Sequence, residues 1–364
     1  MKNKISIFYD FQIFLKQKFG GSSRYFFELS KRIANNATVN IYSPIHINRY
    51  FRTIKSRSLN LFLYKKFIFN SSFTKINQNL TCGHLKKNNY SIIHPTYYDT
   101  EYLKDCKLKK VITVFDLIHE KFSNKKKINE FRDQKKYAIQ NSDFFICISK
   151  NTQKDLINFY NVKEEKTKVI YLASSNISKI FIYKKIEKPF ILYIGNRSGY
   201  KNFNILVKAF STSKELKNNF LLCCFGGGSF TKEEKLFFIQ NKINQLSVRH
   251  LGNNEDFLAS IYEQAACLVY PSIYEGFGLP ILEAMQYRCP VICSQVSSIP
   301  EVGGNAVEYF NPYDYESLLE SIKKVLYEQN YKKKLIDLGL QRSKMFSWNK
   351  CAKETFEVYN KIAI

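Results

Sequence analysis

Glu275 and Glu283 stand eight positions apart in the stretch SIYEGFGLPILEAMQYRCPVIC, with Gly-Phe-Gly-Leu-Pro between them. A carboxylate is an acceptor-only group with two oxygens, so two of them at this spacing suit a ligand rich in hydroxyls. Pro280 fits the first turn of a helix, which lets backbone N–H groups around Phe277, Gly278 and Leu279 point at an anion. Gly276 and Gly278 allow the chain to approach that ligand closely. Within the ensuing helix Glu283 can accept two hydrogen bonds from a ribose, and Glu275, at the loop, can do the same for a hexose. A second segment, NRSGYKN, places Arg197 and Lys201 in a glycine-containing loop that opens another helix. Two cations converging with a helix N-terminus make a diphosphate site. Singly, these residues also read as a helix-surface glutamate, a turn carboxylate and a solvated basic loop. Their combination argues for half of a binding site.

The elements that must carry these residues are short apolar runs separated by helical patterns. ISIFYDF, ATVNIYS, YSIIHPT, KKVITVFD, DFFICIS and TKVIYLA form one series, and FILYIGN, FLLCCFGG, HLGN, ACLVYPS and PVICSQ a second. Strands alternating with helices imply βαβ units and parallel sheets, hence an α/β class. SSRYFFELSKRIA, SKNTQKDLINFYN and NFNILVKAFSTS are expected to be helices starting at Ser, Thr or Asn caps. Ligands of open α/β sheets sit outside the carboxyl ends of the strands, where both motif segments fall. The lysine-rich segment Ser174–Pro189 reads as a linker, so the expected domains are 1–183 and 184–347. The last segment, FSWNKCAKETFEVYNKIAI, reads as an amphipathic helix in which Trp348 packs rather than binds.

The 364-residue chain carries a net charge of +25. Residues 1–180 hold 33 Lys and Arg against 13 Asp and Glu, an excess of 20, so the N-terminal half is the cationic one. Nucleic-acid binding, attachment to an anionic membrane and plain lysine bias all fit that charge. Within Ile47–Phe73, Arg and Lys interleave with Leu, Phe and Tyr, which suits a surface helix on anionic lipid. Nucleic acid has only the charge to recommend it, without zinc spacing or an aromatic RNA-binding motif. The nine cysteines are scattered and form no C-x-x-C pair, which points to reduced, buried thiols in the cytosol and away from a zinc site. No apolar stretch approaches the ~20 residues that cross a bilayer, so the expectation is a soluble or peripherally attached cytoplasmic protein.

YEGFGLPILEA resembles the Glu-x7-Glu motif of retaining nucleotide-sugar glycosyltransferases of the group 1 type, glycosyltransferase family 4. GGSSRYFFELSKRI looks like that family's N-domain glycine loop and helix, CISKNTQKDLINFYNV like its interdomain-facing helix, and SIPEVGGNAVEYFNP like the loop and strand after the second glutamate. FYDFQIF, HPTYYD, VFDLIHEKF and GNRSGYKNF look most like bacterial mannosyltransferase-type enzymes of O-antigen assembly. The resemblance implies the GT-B fold, two Rossmann-like domains facing across a cleft, with a C-terminal helix over about 348–364 packing back on the first. It implies that Arg197 and Lys201 neutralise the donor diphosphate, Glu283 holds the ribose, Glu275 the transferred sugar, and Gly20 and Gly21 close toward donor and acceptor. No Asp-x-Asp motif is present, so no metal and no cofactor is expected beyond the nucleotide-sugar substrate.

One departure concerns the first domain. Many relatives carry a His-Asp pair where this chain has Phe115 and Asp116, with His119 nearby. His119 can bond the sugar or acceptor, or be structural. His94, with Tyr97 and Tyr98, is a further acceptor-side candidate. The expected activity is transfer of a hexose, mannose-like, from a nucleotide diphosphate sugar to a glycan or polyprenyl-linked acceptor in surface polysaccharide synthesis. A nucleotide-sugar epimerase of the same fold and a non-catalytic nucleotide-sugar or glycan-binding subunit are the alternatives.

Overall fold

A computed structural model of the chain describes residues 4–53, 58–60, 71–122, 126–174 and 181–363. It divides into two compact units, residues 1–172 with 347–364, and residues 173–346. Unit 1 runs β1 (Ser6–Tyr9), α1 (Gln12–Lys16), α2 (Gly21–Ile33), β2 (Thr38–Ile41), β3 (Ile45–His46), β4 (Leu59–Asn60), α3 (Ser71–Lys87), β5 (Ile92–His94) and β6 (Lys109–Val114). It continues through α4 (Ile118–Phe122), α5 (Lys126–Gln140), β7 (Phe144–Cys147), α6 (Lys150–Tyr160) and β8 (Thr167–Val169). Unit 2 begins with β9 (Phe190–Ile194), α7 (Phe203–Thr212), α8 (Lys214–Asn219), β10 (Leu221–Phe225), α9 (Lys232–Gln240), β11 (Val248–His250) and α10 (Leu258–Gln264). It ends with β12 (Cys267–Tyr270), α11 (Leu279–Gln286), β13 (Val291–Ser294), α12 (Ile299–Gly303), β14 (Glu308–Phe310), α13 (Tyr315–Tyr327) and α14 (Gln329–Lys344). The closing helix α15 (Trp348–Ile362) returns to unit 1.

Each unit contains a six-stranded sheet, ordered β2-β1-β5-β6-β7-β8 in the first and β11-β10-β9-β12-β13-β14 in the second. Every pairing in them is parallel. Parallel strands are covered by helices on both faces, which is why FFIC, FILYI, LLCCF, CLVY and VICS are buried at every residue instead of alternating. In unit 2, Ile191, Tyr193, Leu222, Cys224, Val269 and Ile292 from the sheet pack with Leu206, Phe210, Ile322 and Val325 from the helices. The strand order reverses between β9 and β12 in unit 2 and between β1 and β5 in unit 1, and these reversals open the crevices at the strand ends.

The helices form where their periodicity places them, but two starts differ from the expectation. Ser149 caps α6 by accepting the Thr152 N–H at 3.0 Å, as expected. The α2 helix begins at Gly21 with Gly20 as its N-cap, not at a serine, and the Ser23 hydroxyl turns back to the Gly20 carbonyl at 3.1 Å. Asn202 before α7 makes no side-chain cap either. It takes a left-handed conformation and donates its amide to the Pro312 carbonyl at 2.8 Å. The cysteines are free, seven of them buried, and burial pushes the Cys147 and Cys267 thiols up to about 12. No helix among the described residues is long and apolar enough to cross a membrane. Most of the basic-aromatic run expected within Ile47–Phe73, namely residues 54–57 and 61–70, lies outside the described residues.

A buried polar chain joins β1, α2, β5, β6 and α15. Tyr25 and Thr113 share a hydroxyl hydrogen bond at 2.9 Å, and Thr113 meets His94 Nε2 at 2.9 Å. His94 Nδ1 lies 2.5 Å from the Tyr359 hydroxyl, which lies 2.9 Å from that of Tyr9. Trp348, Cys351, Ala352, Thr355, Val358 and Tyr359 form the buried stripe of α15 at helical spacing. The Trp348 ring centroid lies 6.3 Å from that of Tyr25, and the Arg32 guanidinium donates to Asn349 Oδ1 at 2.8 Å. His94, an acceptor-side candidate by sequence, is thus a core histidine with both ring nitrogens engaged.

Burial holds His94 down to about 3. The unfolded chain takes up a proton at this imidazole near its ordinary value of ~6.5, whereas the folded chain takes none until far lower pH. The unfolded state therefore binds more protons in that window, and stability is full above it and lost as pH falls through it. Urea midpoints should decline from pH 7 to pH 5 in the parent chain. A His94→Asn variant should be less stable at pH 7.5 yet show a flatter decline. Equal slopes would show that His94 is not held neutral.

Candidate active site

Lys201 lies in the turn after β9 and Glu275 in the loop after β12, on either side of the strand-order reversal in unit 2. The Lys201 ammonium is 2.6 Å from Glu275 Oε1 and 3.3 Å from the Tyr270 hydroxyl. It also stands above the Tyr200 and Tyr270 rings, 5.3 and 5.4 Å from their centroids. A backbone hydrogen bond from Ile273 N to Tyr200 O at 2.8 Å ties the two loops together. The pair is largely withdrawn from water, with 16% of the Lys201 and 9% of the Glu275 side chain exposed. Burial first, and then the Glu275 charge, push the Tyr270 hydroxyl well above its ordinary value, so it stays protonated and able to donate.

The Glu275 loop is held from below by serines that follow β13. Ser298 donates to the carbonyls of Glu275 at 2.8 Å and Phe277 at 3.1 Å, and Ser297 Oγ accepts the Glu275 N–H at 2.9 Å. Ser298 stands at the N-cap position of α12, yet its side chain makes no cap bond there and is spent on the neighbouring loop. Gly278 then turns the chain with a φ of 107°, a conformation open to glycine, and α11 starts at Leu279 with Pro280 second. Glu283 sits on the buried side of α11, 7% exposed, and accepts a hydrogen bond from the Tyr262 hydroxyl at 3.1 Å. Burial and then the Glu283 charge raise Tyr262 well above its ordinary value. Tyr262 and Tyr270, both invisible to motif reading, thus each present a protonated hydroxyl to one of the two glutamates.

Arg197 is arranged otherwise than Lys201. Its Nε donates to Glu234 Oε1 at 2.7 Å and its terminal nitrogens to the carbonyls of Gly226 and Gly228, both at 2.9 Å. The side chain is buried, and a space of about 490 Å³ lies beside it, bounded by Ser198, Asn202, Asn204, Thr231 and Glu233.

Unit 1 holds the remaining candidates. Gly20 and Gly21 open α2, and a Cβ at Gly20 would come within 2.7 Å of Gln17 Oε1. Asp116 Oδ1 accepts the Ile118 N–H at 3.1 Å, which starts the short helix α4 that carries His119. The His119 ring stands edge-on to Phe131 at 4.7 Å, and its Nδ1 is buried without a partner among the described residues. Phe115 places its ring edge-on to Tyr25 at 5.6 Å, in the aromatic cluster under α15. Beside Asp116 is an ion pair with no local sequence signature: Lys135, 1% exposed, reaches Glu120 Oε2 at 3.0 Å and the Asp116 carbonyl at 3.1 Å. At the strand-order reversal of this unit, Asp10 accepts from Thr96 N at 2.8 Å, Thr96 Oγ1 at 2.6 Å, Gln12 Nε2 at 2.7 Å and Tyr102 Oη at 2.8 Å. That carboxylate joins the loops after β1 and β5.

Residues 19–173 match the family Glycosyltransferase Family 4, and residues 176–342 match Glycosyl transferases group 1. The chain is 26% identical over 280 residues to O-antigen chain mannosyltransferase B of Escherichia coli, covering 72% of this chain and 73% of that one. Among solved structures, the sucrose-phosphate synthase of Thermosynechococcus elongatus superposes with a TM-score of 0.76 at 17% identity, over 99% of both chains. Anabaena HepE in complex with UDP and glucose does so with a TM-score of 0.73 at 15% identity, over 98% of this chain and 99% of that one. The fold is the two-Rossmann GT-B fold.

The Lys201–Glu275 pair should be tightly coupled. Removing one partner strands a charge out of water, at a cost of roughly 3 kcal/mol, whereas removing both strands none. Lys201→Met and Glu275→Gln should therefore each destabilise the fold, and the double variant should be less destabilised than the sum. Urea unfolding of the four proteins measures this. Additive losses would mean that the two charges do not support each other.

Proposed function

Since the chain belongs to the group 1 glycosyltransferases, we propose that it is a retaining hexosyltransferase. It moves a mannose-like sugar from a nucleotide diphosphate donor to a glycan or lipid-linked glycan acceptor in surface polysaccharide synthesis. The observation that carries this reading is the pairing of Lys201 with Glu275 at the strand-order reversal of unit 2, in the loop that leads into α11, with Glu283 within that helix. A cation beside a helix N-terminus suits a diphosphate leaving group, and two buried carboxylates suit two sets of sugar hydroxyls.

In this mechanism Glu283 accepts the ribose hydroxyls, its geometry fixed by the Tyr262 hydroxyl. Glu275 accepts hydroxyls of the transferred hexose, and the serines at 297 and 298 keep its loop in place. As the bond from the sugar to the diphosphate breaks, charge accumulates on the phosphate. Lys201 and the N–H groups at the start of α11 stabilise that charge without reorganising. The acceptor hydroxyl attacks from the face the diphosphate leaves, and the departing phosphate oxygen takes its proton, so the anomeric configuration is kept and no protein nucleophile is needed. The name of the Escherichia coli relative supports mannose, and the cationic N-terminal half supports a peripheral position on an anionic cytoplasmic membrane face.

Purified protein should be screened by thermal shift against GDP-, UDP-, dTDP- and ADP-linked sugars, followed by product analysis with lipid extracts as acceptor source. One donor at a hundred times its dissociation constant should stabilise the chain by ~2.7 kcal/mol, and the Glu283→Ala variant should lose that response. Transfer should require acceptor. Conversion of the sugar without acceptor would replace the transferase reading by an epimerase, and donor binding without transfer to any acceptor would replace it by a binding subunit.

A further inference from the structure

We propose that Arg197 is a positioning residue which, together with Glu234, clamps the glycine turn Gly226–Gly228 and thereby sets the loop that carries Lys201. This rests on the reading of Lys201 as the cation for the diphosphate. The geometry is that of a guanidinium fully committed to the protein. Its Nε and one terminal nitrogen make a two-pronged contact with Glu234, at 2.7 and 3.2 Å. The terminal nitrogens also donate to Gly226 O at 2.9 Å, Gly228 O at 2.9 Å and Ser229 O at 3.2 Å, and the group lies 4.8 Å above the Phe230 ring. Only 2% of the side chain is exposed.

The turn has reason to need a clamp. Gly226, Gly227 and Gly228 all take positive φ, at 82°, 69° and 73°, and their carbonyls lie past the end of β10, outside the sheet. The Arg197 guanidinium reaches all three, and His250 Nε2 also lies 3.1 Å from the Gly226 carbonyl. A Cβ added at Gly227 would fall 2.8 Å from Arg197 Nη1 and 2.9 Å from the Gly195 carbonyl, so the turn and the arginine are fitted to each other. Around the clamp, Gly195 N donates to Phe225 O at 3.0 Å and Gly226 N to Gly252 O at 2.8 Å, which brings the ends of β9, β10 and β11 together. Glu234 also caps α9, accepting the Thr231 N–H at 2.8 Å, while Thr231 Oγ1 accepts the Glu234 N–H at 3.2 Å. Lys201 follows Arg197 by four residues, so the clamp anchors one end of the segment that presents the ammonium.

A clamp and a direct phosphate contact predict opposite signs for Glu234→Gln. If Arg197 bound phosphate, Glu234 would compete for it, and its neutralisation would leave binding unchanged or tighter. A clamp loosens instead. Calorimetric titration with UDP and GDP should show Arg197→Lys and Glu234→Gln each weakening the nucleotide that binds by about tenfold or more. The double variant should be no worse than the poorer single one, since both remove the same interaction. Amide hydrogen exchange in residues 195–201 and 226–230 should be faster in both. Thr231→Ala, which weakens the α9 cap alone, should leave affinity and exchange in 195–201 at the parent level; if it matched Glu234→Gln in both, the cap and not the clamp would be responsible, and the proposal would fall. Weaker binding in Arg197→Lys with unchanged or tighter binding in Glu234→Gln would overturn it in favour of a direct contact. If the parent chain binds neither nucleotide, the diphosphate reading of the site fails by itself. Exchange then decides the clamp: faster exchange in those two loops of Glu234→Gln supports it, and unchanged exchange refutes it.

Discussion

An ammonium and a carboxylate 74 residues apart in the chain meet at 2.6 Å in unit 2, and the candidate site is organised around that contact. Its cause lies in topology. The strand order β11-β10-β9-β12-β13-β14 sends the chain outward in one direction from β9 and then in the other, so the loops after β9 and β12 diverge and leave a crevice. A crevice lined by two loops of opposite charge closes on itself, and the pair is then buried well enough that neither charge can be removed alone without penalty. Tyr270 meets the ammonium of the pair, and the serines at 297 and 298 hold the backbone of the Glu275 loop.

Unit 1 solves the same topological problem differently. Its sheet also reverses, between β1 and β5, but the carboxylate there, Asp10, is enclosed by uncharged donors from Thr96, Gln12 and Tyr102. Neighbouring β5 and β6 are then locked to α15 by the Tyr25–Thr113–His94–Tyr359–Tyr9 chain, in which burial keeps the imidazole neutral. The two reversals therefore differ in chemical character: at one a carboxylate is enclosed by uncharged hydrogen-bond donors, and at the other a carboxylate is paired directly with an ammonium. Charge poised at a strand-end crevice suits a phosphorylated ligand, and this difference directs the proposed donor chemistry to unit 2.

Much of this is legible in the sequence. The buried parallel strands announce themselves as unbroken apolar runs, and the spacing of Glu275, Gly276, Gly278, Pro280 and Glu283 prescribes a loop followed by a helix start. Helix starts are less legible. Ser, Thr and Asn have several competing partners, and Asn202 bonds to Pro312 and Ser298 to the Glu275 loop, neither of which is near in sequence. His94 looks available because a strand-end histidine carries no local sign of what will cover it. The cover is α15, whose Tyr359 lies 265 residues later.

The class of the two units and the residue types of the candidate site can be read along the chain, because burial of parallel strands and glycine-permitted turns leave local patterns. Which partner each charged group faces is a matter of packing. Arg197 and Lys201 are four residues apart in one loop and read alike, yet one is drawn to Glu234 and the carbonyls of the glycine turn and the other to Glu275. Electrostatic and hydrogen-bond partners are chosen by distance in space, and over separations of 37 and 74 residues only the packing of the sheet and its helices sets that distance.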